Sequence, residues 1–157
     1  MEKFKVEKSI EISAPREQVW EILMAPEMFA VWAADFSQGA AMSGDWRPGG
    51  KVYYSDKGGW GLKAHVLEFE PPRLFSVEYE GEMKNLELDP DLPGSREWKG
   101  CRETYELSAE GKVTRFALSA EVPTRAFYEE FNEKWDRVLL KIKQLAEQAS
   151  EVPLKAG

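Results

Sequence analysis

Glu103 holds the position in this sequence that most invites chemistry. It shares strand parity with Tyr105 and Leu107, so it turns toward an apolar face. A carboxyl there must be paired or keep its proton. Arg115, on the next strand and just off its apolar row, is the partner the sequence offers. The pair would make a polar spot able to orient a ligand in an apolar cavity. The simpler reading is a surface pair at the edge of a sheet. Other acids, such as Glu78, Glu80 and Glu106, alternate along strands as a solvated outer face does. His65 is the only histidine and lies on the face opposite Ala64 and Val66. With no cysteine or second histidine at ligand spacing, it reads as an exposed strand residue, and no metal site is expected. No Ser–His–Asp set can be assembled. Pro48-Gly49-Gly50 and Gly58-Gly59 match neither a dinucleotide fingerprint nor a P-loop, so no cofactor is expected. An enzyme reading rests on Glu103 alone, and a binding protein is the better expectation.

Tryptophan is the second unusual feature, with six residues. An indole brings a large apolar area plus an N–H that seeks a partner, which suits pocket walls as well as cores. Trp20 and Trp135 fall on helical stripes and read as core. Trp32, Trp46 and Trp60 lie near loops and short helices that would frame a cavity mouth, and both readings stay open. Trp98 sits in a polar stretch, as a lid residue or a surface anchor.

The elements that must position these residues follow from periodicity. Phe4, Val6, Ile10 and Ile12 alternate with polar residues, a half-buried strand in which Lys8 interrupts the inner row near an edge. Pro15 then opens a helix carrying Val19, Trp20 and Leu23. Pro26 ends it and starts a second short helix with Met28, Phe29 and Trp32. Residues 33–50 show little period. Strands are expected over Lys51–Ser55, Trp60–Glu70, Leu74–Glu80, Arg102–Ser108 and Val113–Val122, with a long loop at 82–100. Short turns between them make the sheet antiparallel. Phe127, Phe131, Trp135, Val138, Ile142, Leu145 and Ala149 then keep a helical spacing, with Thr124 as cap. That stripe must bury on the inner face of the sheet. The expected architecture is α+β: a curved antiparallel sheet wrapped around a long C-terminal helix, with two short helices after the first strand. One domain spans 1–150, and 151–157 reads as a loose tail.

Composition bounds the rest. The chain has 157 residues and a net charge of -7, which argues against a nucleic-acid partner. The single Cys101 fits a reducing compartment. The charged N-terminus lacks a signal-peptide core, and no apolar run approaches the roughly 20 residues that cross a bilayer. The expectation is a cytoplasmic protein without integral membrane contact.

Three segments carry a family resemblance. They are IEISAPREQVWEIL, PGGKVYYSDKGGWGLKAHVLEFEPPRLFSVEYEG and EKWDRVLLKIKQLAE. Ala-Pro precedes a Val-Trp helix, a glycine-rich hairpin follows, Glu68, Pro71, Pro72 and Leu74 make a corner, and Trp135 stands four residues before Leu139. In this order they resemble the START-like (SRPBCC, helix-grip) superfamily, and within it the domain named after activators of a heat-shock-chaperone ATPase. The loop at 82–100 departs from that compact pattern. The resemblance implies a cavity between sheet and C-terminal helix, since members bind lipids, sterols, polyketides and other apolar molecules and a minority are enzymes. An apolar small molecule or lipid is then the expected partner. Walls are expected from Trp32, Trp46, Tyr54, Trp60 and Val66, from Phe75, Val77 and Tyr105, and from Phe116, Leu118, Phe131 and Trp135. Tyr54, Tyr79, Tyr105 and Glu103 would orient the ligand. The chaperone-activator name suggests a protein-interaction module as the alternative. The resemblance and any uncovered edge strand also suggest a homodimer.

Overall fold

The computed structural model describes residues 3–151. Strand β1 (Phe4–Ile12) leads into helices α1 (Arg16–Met24) and α2 (Pro26–Trp32), and a 3-10 turn follows at Ala33–Asp35. Next come β2 (Ala41–Gly44), β3 (Lys51–Ser55), β4 (Gly61–Glu70), β5 (Leu74–Lys84) and β6 (Glu87–Leu88). Helix α3 (Pro93–Trp98), β7 (Arg102–Glu110), β8 (Val113–Val122) and α4 (Arg125–Glu151) complete the chain. This is the α+β helix-grip arrangement. All strand pairs are antiparallel, in the order β1-β8-β7-β5-β4-β3-β2, with β6 added beside β5. The two short helices carry the chain from one sheet edge, β1, to the other, β2. The remaining strands then walk it back, with β6 and α3 between β5 and β7, until β8 lies beside β1. Register shifts at Lys63/Ala64 and Val66/Glu68 bend β4, which helps the sheet curve.

Helix α4 lies in that curve. Trp135, Val138, Ile142 and Ala146 are buried on it, with Leu139 beside them. Thr124 Oγ1 accepts a hydrogen bond from the Phe127 N–H, the expected cap. The expected stripe ran one residue too far, because Ala149 is exposed. Glu147 accepts from the Ser13 N–H and Lys143 donates to the Glu11 carbonyl, so the helix meets the end of β1 there. Beyond that point it has no sheet to cover it. Lys8 sits on the edge strand as read, and its ammonium pairs with Asp136 of α4 at 2.7 Å.

Two elements differ from the sequence expectation. The unperiodic stretch at 33–50 contains β2, whose four residues bury only Met42 and so leave no alternation to read. The expected loop at 82–100 is shorter, because β5 runs to Lys84, returns as β6 and is followed by α3, with Pro93 in its first turn. Ser95 fixes this excursion, donating to the Asp89 carbonyl at 2.6 Å and accepting from the Glu82 N–H at 2.8 Å. The expected tail from 151 onward lies outside the described residues, except that Glu151 still belongs to α4.

The buried stripe has a measurable signature. Ile142→Ala should lower unfolding stability by about 2–5 kcal/mol in urea titrations. Ala149→Ser should stay within about 0.5 kcal/mol of the parent.

Candidate functional site

Register fixes the centre of the site. Val6, Ala120, Glu103, Val77 and Val66 lie side by side across β1, β8, β7, β5 and β4. Glu103 is the one charged residue in that inward row. Arg115 is not its partner. The β7–β8 hairpin places Arg115 opposite Ser108 and sets Ala120 opposite Glu103. Arg115 alternates with the buried Thr114 and Phe116, so it faces out and reaches Ser9. The expected Glu103–Arg115 pair is therefore absent.

Phenols take the place of a cation. The Tyr105 hydroxyl donates to the Glu103 carboxylate at 2.8 Å, and Tyr79 lines the same space. Burial pushes the Glu103 carboxyl up to about 7, and the neighbouring phenols, Tyr105 first and then Tyr79, offset only part of that rise. Burial, then the charge of Glu103, hold Tyr54, Tyr79 and Tyr105 well above the usual phenol value, so all three keep their protons. The Tyr54 hydroxyl and the Trp98 indole N–H are both buried without a hydrogen-bond partner.

Glu103 opens onto a space of about 360 Å³. The space lies between the first half of α4, the α2 region and the β3–β4 hairpin. Of the expected wall residues, Trp32, Tyr54, Trp60 and Tyr79 line it, as do Glu103, Tyr105, Phe131 and Trp135. Trp46, Val66, Phe75, Val77, Phe116 and Leu118 do not. They pack in the core beside it. Trp46 lies against Phe69 and Phe75, and Trp20 contacts Phe69 in turn. That end of the molecule is filled. Tyr105 and Trp135 form the partition: their rings are 6.1 Å apart, and Tyr105 also meets Phe75 and Phe116 on the filled side.

Other wall residues escaped the sequence reading. Phe29, Phe36, Ala120 and Phe127 line the space. Phe127 stood on the helical stripe, but nothing in the unperiodic 33–50 stretch marked Phe36. Trp98 is not a surface anchor but one of the walls of the space. Helix α3 inserts its ring among Tyr79, Phe127 and Phe131, at 5.5, 5.1 and 6.2 Å, and it is 3% exposed. Trp60 stands at the mouth, 42% exposed, and its indole donates to Glu82 at 3.0 Å.

The remaining candidates for chemistry lie apart. His65 is on the outer face of β4, between Glu78 and Glu80, each 3.4 Å away. Burial pushes the Cys101 thiol up to about 11, which leaves it unreactive. Among the described residues, no three His, Cys, Asp or Glu side chains are grouped to hold a metal ion. No helix among them is long and apolar enough to cross a membrane.

A curved antiparallel sheet gripping a long helix, with aromatic walls beneath that helix, defines a START-like helix-grip protein. The chain belongs to the family described as activator of Hsp90 ATPase homolog 1-like protein, whose model matches residues 13–147. Solved structures share the fold at low identity. The Aha1 dimer from Colwellia psychrerythraea is 20% identical with a TM-score of 0.69, over 92% of this chain and 96% of that one. Protein MLL2253 from Mesorhizobium loti is 20% identical with a TM-score of 0.71, over 92% and 98%. CalU16 from Micromonospora echinospora is 18% identical with a TM-score of 0.61, over 93% and 85%. No curated protein matches the sequence significantly.

The raised Glu103 carboxyl makes stability depend on pH. The folded state holds its proton up to about 7, whereas an ordinary glutamate releases it near 4.5. The folded state therefore binds more protons between those values, and Glu103 lowers stability as pH rises through that window. Glu103→Gln removes the effect. Its stability relative to the parent should rise by a few kcal/mol between about pH 4.5 and 7 and be flat on either side, read by urea unfolding across pH.

Proposed function

We propose that the space beneath α4 is a binding site for an apolar small molecule or lipid. One observation carries the reading: about 360 Å³ of space walled by aromatic rings around a single inward carboxyl. That volume is within the range of small-molecule sites, which are mostly apolar with a few placed polar groups. Affinity would come from burial, at about 25 cal/mol per Å² of apolar area, and Glu103 with its phenols would set orientation. Membership of a START-like family supports the same reading.

Self-association is a second reading. The Colwellia psychrerythraea neighbour is a dimer, and β1 leaves one edge of this sheet unpaired among the described residues. Light scattering over a range of protein concentrations reads it directly. An enzyme is less well supported. Glu103 with a carboxyl near 7 can exchange a proton at neutral pH, but no nucleophile stands beside it.

A neutral fluorescent probe such as N-phenyl-1-naphthylamine tests the binding reading. It should bind once per chain and be displaced by decanol. Ala120→Leu places bulk in the space opposite Glu103 and should weaken probe binding about tenfold or more with the circular dichroism spectrum unchanged. Trp46→Phe, in the filled end, should change it by less than about twofold. Equal effects of the two substitutions, or no effect of either, would place the probe elsewhere.

A further inference from the structure

Among the described residues, the charged ones lining the space are Asp56, Glu103, Glu121 and Glu130, and no lysine, arginine or histidine joins them. Three of the four are already engaged at the rim. Asp56 accepts from the Gly58 and Trp60 N–H groups, Glu121 accepts from the Arg102 N–H, and Glu130 pairs with Lys134 at 2.9 Å. Glu103 alone stands in the inward row of the sheet, and among the described residues no cation pairs with it. Its neighbours across the elements are neutral: Tyr54 on β3, Tyr79 on β5, Tyr105 on β7, Ala120 on β8 and Trp135 on α4.

A buried carboxylate without a counter-charge is costly, and the cost is relieved by a proton or by a cation. Aromatic faces attract cations too, most of all where water is excluded. A negative, aromatic pocket also repels a carboxylate or phosphate head, whose own desolvation nothing there would offset. We propose that this cavity takes a hydrophobic amine, an apolar body bearing one basic nitrogen, with its ammonium on Glu103 and its body against the rings of Trp98, Phe127, Phe131 and Trp135. The proposal rests on the binding reading above and gives it a chemical class. It excludes fatty acids and other anionic amphiphiles as preferred ligands.

Three probes with the same chain separate the alternatives: decylamine, decanol and decanoate, titrated by calorimetry at about pH 8. A salt concentration of about 0.3 M brings the screening length below about 10 Å and suppresses attraction by the protein's overall charge of -7. Decylamine should bind about tenfold or more tighter than decanol, and decanoate weakest. In Glu103→Gln the amine preference should vanish, with decylamine binding within about twofold of decanol in that same variant. In the parent protein, amine affinity should fall about tenfold per pH unit below about 7, because binding must then displace the Glu103 proton. That wild-type profile tests the idea even if the variant folds poorly. Decanol binding as tightly as decylamine, or an amine preference that survives Glu103→Gln, overturns the inference and leaves the binding reading standing. Failure of all three probes overturns both.

Discussion

The structure depends on one constraint: a helix of 27 residues must bury an aromatic stripe on a single curved sheet. Nothing else in the chain offers enough apolar surface. At about 1.5 Å per residue the helix is about 40 Å long, so it outruns any one strand. The sheet answers by curving, with two irregularities in β4, and by bringing β1 beside β8 so that both ends of the chain serve one face. Packing is complete where Val138, Ile142 and Ala146 meet the sheet. It opens toward the helix N-terminus, where Phe127, Phe131 and Trp135 line the space and the walls are large rings rather than aliphatic side chains.

The partition between filled and open halves is itself a packing event. Trp135 fills the core on one side and borders the open space on the other. Tyr105 does the same from the sheet, with Phe75 and Phe116 behind it. Rings suit this duty because two torsions fix a large rigid area, so a wall can stand without being packed on both faces. Trp98 closes the far side, although its helix is only six residues long. The contacts of its ring and the Ser95 hydrogen bonds together hold α3 in place.

Much of this was legible in the sequence, and the misses share a cause. Period two and period 3.6 place residues on faces, so the inward turn of Glu103 and the buried Trp135 could be read directly. The same rule, applied to Arg115 beside Phe116, turns the guanidinium outward. Even facing inward it would sit five residues from the row of Glu103, since register depends on the length of the Glu110–Val113 turn and not on parity. Short elements were lost for want of repeats. Met42 alone marks β2, and a proline-rich stretch hid α3. Which core residues border a void was not legible at all. Phe75 and Tyr105 are neighbours on one face with the same pattern, yet only Tyr105 reaches the space.

Phenols around Glu103, in place of a basic residue, follow from what such a site must leave undone. An arginine would hold the carboxylate ionised and occupy both of its oxygens. The site would then be stable and closed to chemistry. A phenol is both donor and acceptor, so it can serve the carboxylate and the carboxylic acid alike. Tyr79 and Tyr105 thus support either protonation state without supplying a full charge, and the carboxyl rests near neutrality. The cost is a folded state weakened wherever Glu103 is ionised and alone. Chains tend to tolerate such local conflict where a site needs it. The unpartnered Tyr54 hydroxyl and Trp98 N–H at the same cavity wall add to that conflict in the same place. Polar groups left unsatisfied together, in the one part of the core that is not filled, mark the region whose energetics a bound molecule would complete.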